Sequence, residues 1–292
     1  MARPPFVDAH LHLWDRKMLR YPWLEDPAMA AIAPSYDIED YRREAAAWNV
    51  AACVHVEAGA DADDSFKETE WLESIRAIDA WPSAIIAHVA LHEPSAQKKL
   101  EWQAQRSAVR GIRHIVNWHP DPAKQAYAED LTRNPAWQRG YALLGPLGLN
   151  FDFHGHPPQL ATMAEVARAH PETPLILNHL ALPGAIEGLE EWRAGLIKMA
   201  ALPHVAIKLS GAGFIAQPFE IDAFRSITRE VIDLFGTARV MVATNFPTDR
   251  LFASMDETLL AYEDILSQFS EDERRDLWGR NANRIYRLGL QL

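Results

Sequence analysis

The feature that most constrains this chain is a recurring pair of patterns. A short apolar run is followed by an amphipathic segment, and the pair repeats eight times in 292 residues. The apolar runs are Phe6–Trp14, Val50–Gly59, Ala84–Leu91, Val109–Trp118, Leu149–His156, Pro174–Leu182, His204–Gly213 and Arg239–Pro247. Most are rich in Val, Ile, Leu or Phe and show little polar alternation except toward their C-terminal ends. Strands buried on both faces read this way. The segments between them carry helix signals. Asp37 caps Asp37–Trp48, and Asn134 followed by Pro135 opens Asn134–Leu144. Asp64–Ala80, Ser95–Gln105, Pro158–His170, Glu187–Ala201 and Ile221–Phe235 continue the series. Ser254–Leu288 has room for two helices, the second opened by a capping box of Ser270 and Glu273.

Strand–helix alternation predicts a parallel sheet with helices outside it, and eight units close a barrel of about 250 residues. The expected fold is therefore α/β, a single-domain (β/α)8 TIM barrel over residues 1–292. An open doubly wound sheet is the rival, but no Gly-rich phosphate-binding fingerprint follows the first strand.

The formal charge is −11 with no Lys/Arg block, so nucleic acid is not an expected partner. No run reaches the length of a membrane span. The opening MARPPFVDAH lacks an apolar leader core, and Cys53, the sole cysteine, has no thiolate partner for a metal or disulfide. A cytoplasmic enzyme acting on a small molecule, as a monomer or homodimer, is the expectation.

Barrel active sites sit at the C-terminal ends of the strands. Polar groups gather there in this sequence: Asp8, His10 and His12; His55 and Glu57; His88 and His92; Arg113, His114 and Asn117; Asp152, His154 and His156; Asn178 and His179; Lys208 and Ser210; Asn245, with Asp249 beyond. Burying so many ionisable groups is costly unless they pair, hold a metal or face a wet pocket. His10 and His12 are the sharpest pair. Residues i and i+2 on a strand share a face about 6.6 Å apart and can converge on one metal or one substrate group. His154 repeats that spacing with His156 and shares a face with Asp152. His179 can shuttle a proton. Arg113 and Lys208 can hold a carboxylate or polarise a carbonyl, although Arg113 could instead pair with Glu57 or Asp152. Trp14 and Trp23, with Glu57, are placed to wall a substrate site.

Several stretches in register resemble one family. FVDAHLHLWD with YPWL, then VRGIRHIV, FDFHGHPPQL, LILNHLALP, VAIKLSG, VATNFPTD and the closing GRNANRIYRL resemble the amidohydrolase-2 group of the amidohydrolase superfamily. The resemblance covers essentially the whole chain and is nearest the sugar-lactonase and 2-pyrone-4,6-dicarboxylate lactonase branch. It implies a barrel hydrolase that opens a lactone by water attack on the carbonyl, in sugar-acid or aromatic catabolism. It also implies that His10 and His12 are the first-strand ligand pair, His179 the sixth-strand histidine and Arg113 a substrate-side arginine. One divalent metal, zinc or manganese, would be held by His10, His12, His154 and His179, although some members need none. The sequence departs from the family at two places. Asn245 stands where the group carries a base aspartate, and an amide cannot take a proton near neutral pH. His154 stands where lactonases often have a neutral residue. The base is then His154, His12 or Asp249. Two rivals follow from these departures: a zinc decarboxylase using His10, His12 and His154, and a ligand-binding barrel without turnover.

Overall fold

The computed structural model describes residues 3–184, 189–215 and 220–292. Eight parallel strands hydrogen-bond in chain order: β1 Phe6–Leu11, β2 Val50–Val56, β3 Ala84–His88, β4 Val109–Arg113, β5 Asn150–Phe153, β6 Leu175–Leu177, β7 Val205–Leu209 and β8 Val240–Val242. The barrel closes between its first and last strands. The His12 N–H donates to the Phe246 carbonyl at 2.8 Å and the Asn245 N–H to the His10 carbonyl at 2.8 Å. Asp8 staples the same seam. Its carboxylate accepts the Thr244 N–H at 2.9 Å, the Thr244 hydroxyl at 2.6 Å and the Tyr41 hydroxyl at 2.9 Å. Burial still pushes that carboxyl up to about 6.

The strands are shorter than the apolar runs that announced them. Each run continues past the last ladder pair into a loop that stays buried, so hydrophobicity alone could not mark the strand ends. As a result His12, His154, His179 and Asn245 lie just beyond strands, whereas His10, Arg113 and Lys208 lie within them.

The helices wrap outside: α1 Ile38–Glu44, α2 Ser65–Asp79, α3 Ala96–Ala104, α4 Pro135–Tyr141, α5 Pro157–Ala169, α6 Leu189–Ala200, α7 Ile221–Phe235 and α8 Met255–Leu266. The expected start of the sixth at Glu187 falls outside the described residues. The last expected helix is a broken one, α9 Glu271–Arg275, a π turn at Asp276–Arg280 and α10 Asn281–Ile285. The caps behave as their residue types require. Asn134 accepts the N–H groups of Ala136 and Trp137, and the Ser270–Glu273 box is formed.

Two apolar layers result. The larger lies between strands and helices. The smaller fills the barrel floor with Val7, Ala9, Val54, Val56, Ile86, Ile176, Ala206 and Met241, and Ala282 and Tyr286 close it from below. A packed floor leaves only the upper end of the lumen open to polar side chains. Among the described residues, no helix is long and apolar enough to cross a membrane.

Candidate active site

The first strand delivers both of its histidines to the barrel mouth. His10 and His12 are 0% and 5% exposed, and their Nε2 atoms stand 3.1 Å apart. The surrounding bonds fix their tautomers. Lys208 Nζ, 3.3 Å from His10 Nδ1, is the nearer of two donors on that ring, Arg113 Nη1 standing 3.5 Å from Nε2, so Nδ1 takes the accepting role and the His10 hydrogen sits on Nε2 toward His12. His12 Nδ1–H donates to the Val56 carbonyl at 2.7 Å, which leaves His12 Nε2 bare. Burial, reinforced by Lys208 beside His10 and Arg113 beside His12, holds both rings well below the usual imidazole range. They are therefore neutral at neutral pH.

Asn245 completes this corner. Its Oδ1 lies 3.2 Å from His12 Nε2, and its Nδ2 donates to Asp249 Oδ1 at 2.7 Å. Asn245 has φ of 58°, a left-handed conformation that Asn tolerates better than most residues. Asp249 is fully enclosed and its other oxygen accepts the N–H groups of Gly211 and Ala212 at 3.0 and 3.3 Å. Both of its oxygens are thus engaged, one of them on the Asn245 amide.

The two cations are tethered in ways that leave different parts of them available. Arg113 Nε donates to Glu57 Oε1 at 2.6 Å and Nη2 to the Glu57 carbonyl at 2.5 Å. Its Nη1 turns toward His10 Nε2 at 3.5 Å. Glu57, with its second oxygen on the Gly59 N–H at 2.9 Å, clamps Arg113. Lys208 is buried in the lumen on Asp152 Oδ1 at 2.5 Å. Asp152 also accepts from Asn178 Nδ2 at 3.0 Å and the Tyr286 hydroxyl at 3.1 Å.

His179 and His154 continue the row of rings. The His10 and His179 centroids are 4.7 Å apart, and those of His179 and His154 5.2 Å. Burial is again the largest cause holding both well below the ordinary imidazole range. His179 Nδ1 meets Ser210 Oγ at 2.9 Å, and His154 Nδ1 meets Asn117 Oδ1 at 2.7 Å. His179 opens a run of four left-handed residues, with φ of 50°, 56°, 58° and 49° through Leu182. Each such non-glycine residue costs about 1–2 kcal/mol. The strained turn carries a mouth histidine, as functional sites often do.

The two expected wall tryptophans differ in exposure. Trp14 is fully buried, donates its indole N–H to the Pro34 carbonyl at 2.7 Å and packs edge-on against Trp23 at 5.6 Å. It supports the wall and does not line it. Trp23 is half-buried over Gly59, where a Cβ would meet its ring at 3.1 Å. Asn117 and Tyr286 also reach the site. Nothing in the sequence sets Asn117 apart from the other strand-end polar residues, and Tyr286 sits in an ordinary-looking helix end.

A metal is the cofactor the fold family implies. His10 Nε2, His12 Nε2 and Asn245 Oδ1, at 3.1 and 3.2 Å, have the spacing of ligand edges around one ion. The donor chemistry does not match. Catalytic zinc takes three protein ligands, imidazole, carboxylate or thiolate. Here the third group is a neutral amide, and the Lys208 ammonium and Arg113 guanidinium stand 3.3 and 3.5 Å from His10. Among the described residues no group of three or more His, Cys, Asp or Glu could hold an ion. The three-histidine set of His10, His12 and His154 is not assembled.

The comparisons agree with the barrel. A family described as amidohydrolase matches residues 7–288. An uncharacterized protein of Sinorhizobium fredii is 34% identical over 99% of this chain and 100% of its own. An L-fucono-1,5-lactonase of Burkholderia multivorans is 28% identical, covering 97% and 96% of the two chains. A crystal structure of an amidohydrolase from Burkholderia multivorans with bound zinc superposes with a TM-score of 0.83 at 27% identity, over 97% of this chain and 99% of that one. With nearly its whole length matched, this chain is a hydrolase and belongs to the amidohydrolase family.

Proposed function

We propose that the protein is a lactonase that activates water with His12 and needs no metal for the chemical step. The observation that carries this reading is the corner of His10 Nε2–H, bare His12 Nε2 and Asn245 Oδ1, at 3.1 and 3.2 Å. Lone pairs of His12 and Asn245 face each other there. Such a corner suits a water that accepts from His10 and donates to the other two.

The reaction then runs as follows. The water adds to the lactone carbonyl, and its proton passes to His12 Nε2. Arg113 Nη1, the edge of the guanidinium that Glu57 does not hold, stabilises the developing oxyanion. Lys208 fixes the His10 tautomer and adds positive potential from below. When the tetrahedral species collapses, the ring C–O bond breaks and the leaving alkoxide takes the proton from His12. Burial makes His12 a weak base but its protonated form a strong acid, which favours this second transfer.

The similarity to an L-fucono-1,5-lactonase supports the cyclic-ester substrate, and burial keeps His12 neutral, so its Nε2 lone pair is present at neutral pH. Purified protein offered a panel of sugar-acid and dicarboxylate lactones tests the reading. Hydrolysis of at least one is expected, and hydrolysis of none overturns it.

A further inference from the structure

A second polar cluster lies on the loops after β3 and β4, outside the groups used so far. His114 Nδ1 accepts the Leu91 N–H at 3.3 Å and the Trp137 indole N–H at 3.1 Å. Its hydrogen is therefore on Nε2 and is donated to the Tyr127 hydroxyl at 2.9 Å. Tyr127 accepts in that bond, so its own hydrogen is turned elsewhere. His92 stacks on His114 at 5.4 Å and meets Tyr127 edge-on at 5.5 Å. The His92 Nδ1 atom is enclosed without a partner. An unpaired acceptor is better tolerated than an unpaired buried N–H, which puts the hydrogen on Nε2. His88 is the ladder partner of Arg113 and lies 5.7 Å from the His114 ring.

This cluster is joined to the mouth already described. The Ala126 N–H donates to the Asn117 carbonyl at 2.8 Å, and the Asn117 side chain meets His154. Tyr127 therefore hangs on the same loop that holds His154. The nearby cations are turned away from it: Lys99 is paired with Glu93 at 2.7 Å, and Arg113 is paired with Glu57 at 2.6 Å with its remaining Nη1 toward His10. What the cluster offers is a phenol and imidazoles. A substrate carboxylate calls for a guanidinium or ammonium, whereas alcohol oxygens are matched by phenol and imidazole.

We propose that Tyr127, His92 and His88 form a subsite for the hydroxyl groups of a polyhydroxylated lactone. The proposal rests on the lactonase reading and narrows its substrate class from sugar-acid or dicarboxylate lactones to the polyhydroxylated ones.

The test compares wild type, Tyr127→Phe and His92→Leu on a hexono-1,5-lactone and on unsubstituted δ-valerolactone. Each variant should lower kcat/KM for the hydroxylated lactone roughly tenfold, mainly through KM, and change δ-valerolactone by less than about twofold. Equal effects on both substrates, or no effect on either, overturns the subsite. If wild type hydrolyses neither lactone, the lactonase reading fails by itself. Calorimetry with the hexono-1,5-lactam and 2-piperidone then decides the subsite. A wild-type preference for the hydroxylated lactam that Tyr127→Phe abolishes supports it, and the absence of such a preference overturns it.

Discussion

Asn245 Nδ2 donates to Asp249 Oδ1 at 2.7 Å, and that bond decides which end of the amide faces His12. Were the amide reversed, its NH2 group would occupy the place where the water needs an acceptor. The pair thus does in two residues part of what a single carboxylate could do at that position. Asn245 supplies the oxygen, and Asp249 supplies the negative charge behind it.

Removing the amide should therefore damage turnover more than binding. Asn245→Ala is expected to lower kcat about 100-fold with KM changed by less than about threefold. Steady-state kinetics read the split. An equal rise in KM with kcat intact would show that Asn245 binds substrate instead.

The same pair predicts a pH dependence. Burial pushes the Asp249 carboxyl up to about 7, against the opposing N–H donors of Asn245, Ala212 and Gly211. Above that pH it is ionised and holds the amide with Oδ1 toward His12. Below it the protonated carboxyl can donate to Asn245 Oδ1 and turn the amide round. Activity should rise through about pH 7, and Asp249→Asn should remove that limb. Stability follows the opposite sign. The folded carboxyl titrates above its ordinary 3.8, so its contribution is full below pH 4 and is lost as pH rises through 7. A kcat–pH profile without this limb in wild type would refute the coupling.

Arg113 is held by two separate acceptors of Glu57, a geometry that suits a planar fork and not an ammonium. Arg113→Lys should cost about 1000-fold in kcat/KM, and Glu57→Gln about 10-fold, through loosened aim of the guanidinium. A comparable loss in thermal midpoint with kinetics preserved would assign the pair to folding alone.

Much of this arrangement was readable in the sequence. Repeated apolar runs gave the barrel, because a strand buried on both faces must be apolar along its length. The gathering of polar residues at one end of each run gave the mouth. What could not be read was which polar group is tied to which. Glu57, Asp152 and Asp249 look alike in sequence, yet each proves to be a tether for Arg113, Lys208 or Asn245. Trp14 sits in the right loop but points into the core, since loop position does not determine side-chain direction. Tyr286 reaches Asp152 across 134 residues of chain, and no local pattern reports such a contact.

On the proposed mechanism the residues around His10 carry out the chemical step without a metal. Activity should be unchanged after exhaustive treatment with a strong chelator and should gain less than about twofold from added zinc or manganese. Loss of activity on chelation, restored by stoichiometric zinc, would reverse this assignment.

The most direct test is lactone opening by metal-stripped wild type and His12→Ala, followed by the acid released in weakly buffered solution. Turnover by wild type, with kcat about 1000-fold lower in His12→Ala and KM little changed, is the expected result. Wild-type kinetics in the variant, or no lactone opened by wild type, would contradict the assignment of His12 as the base.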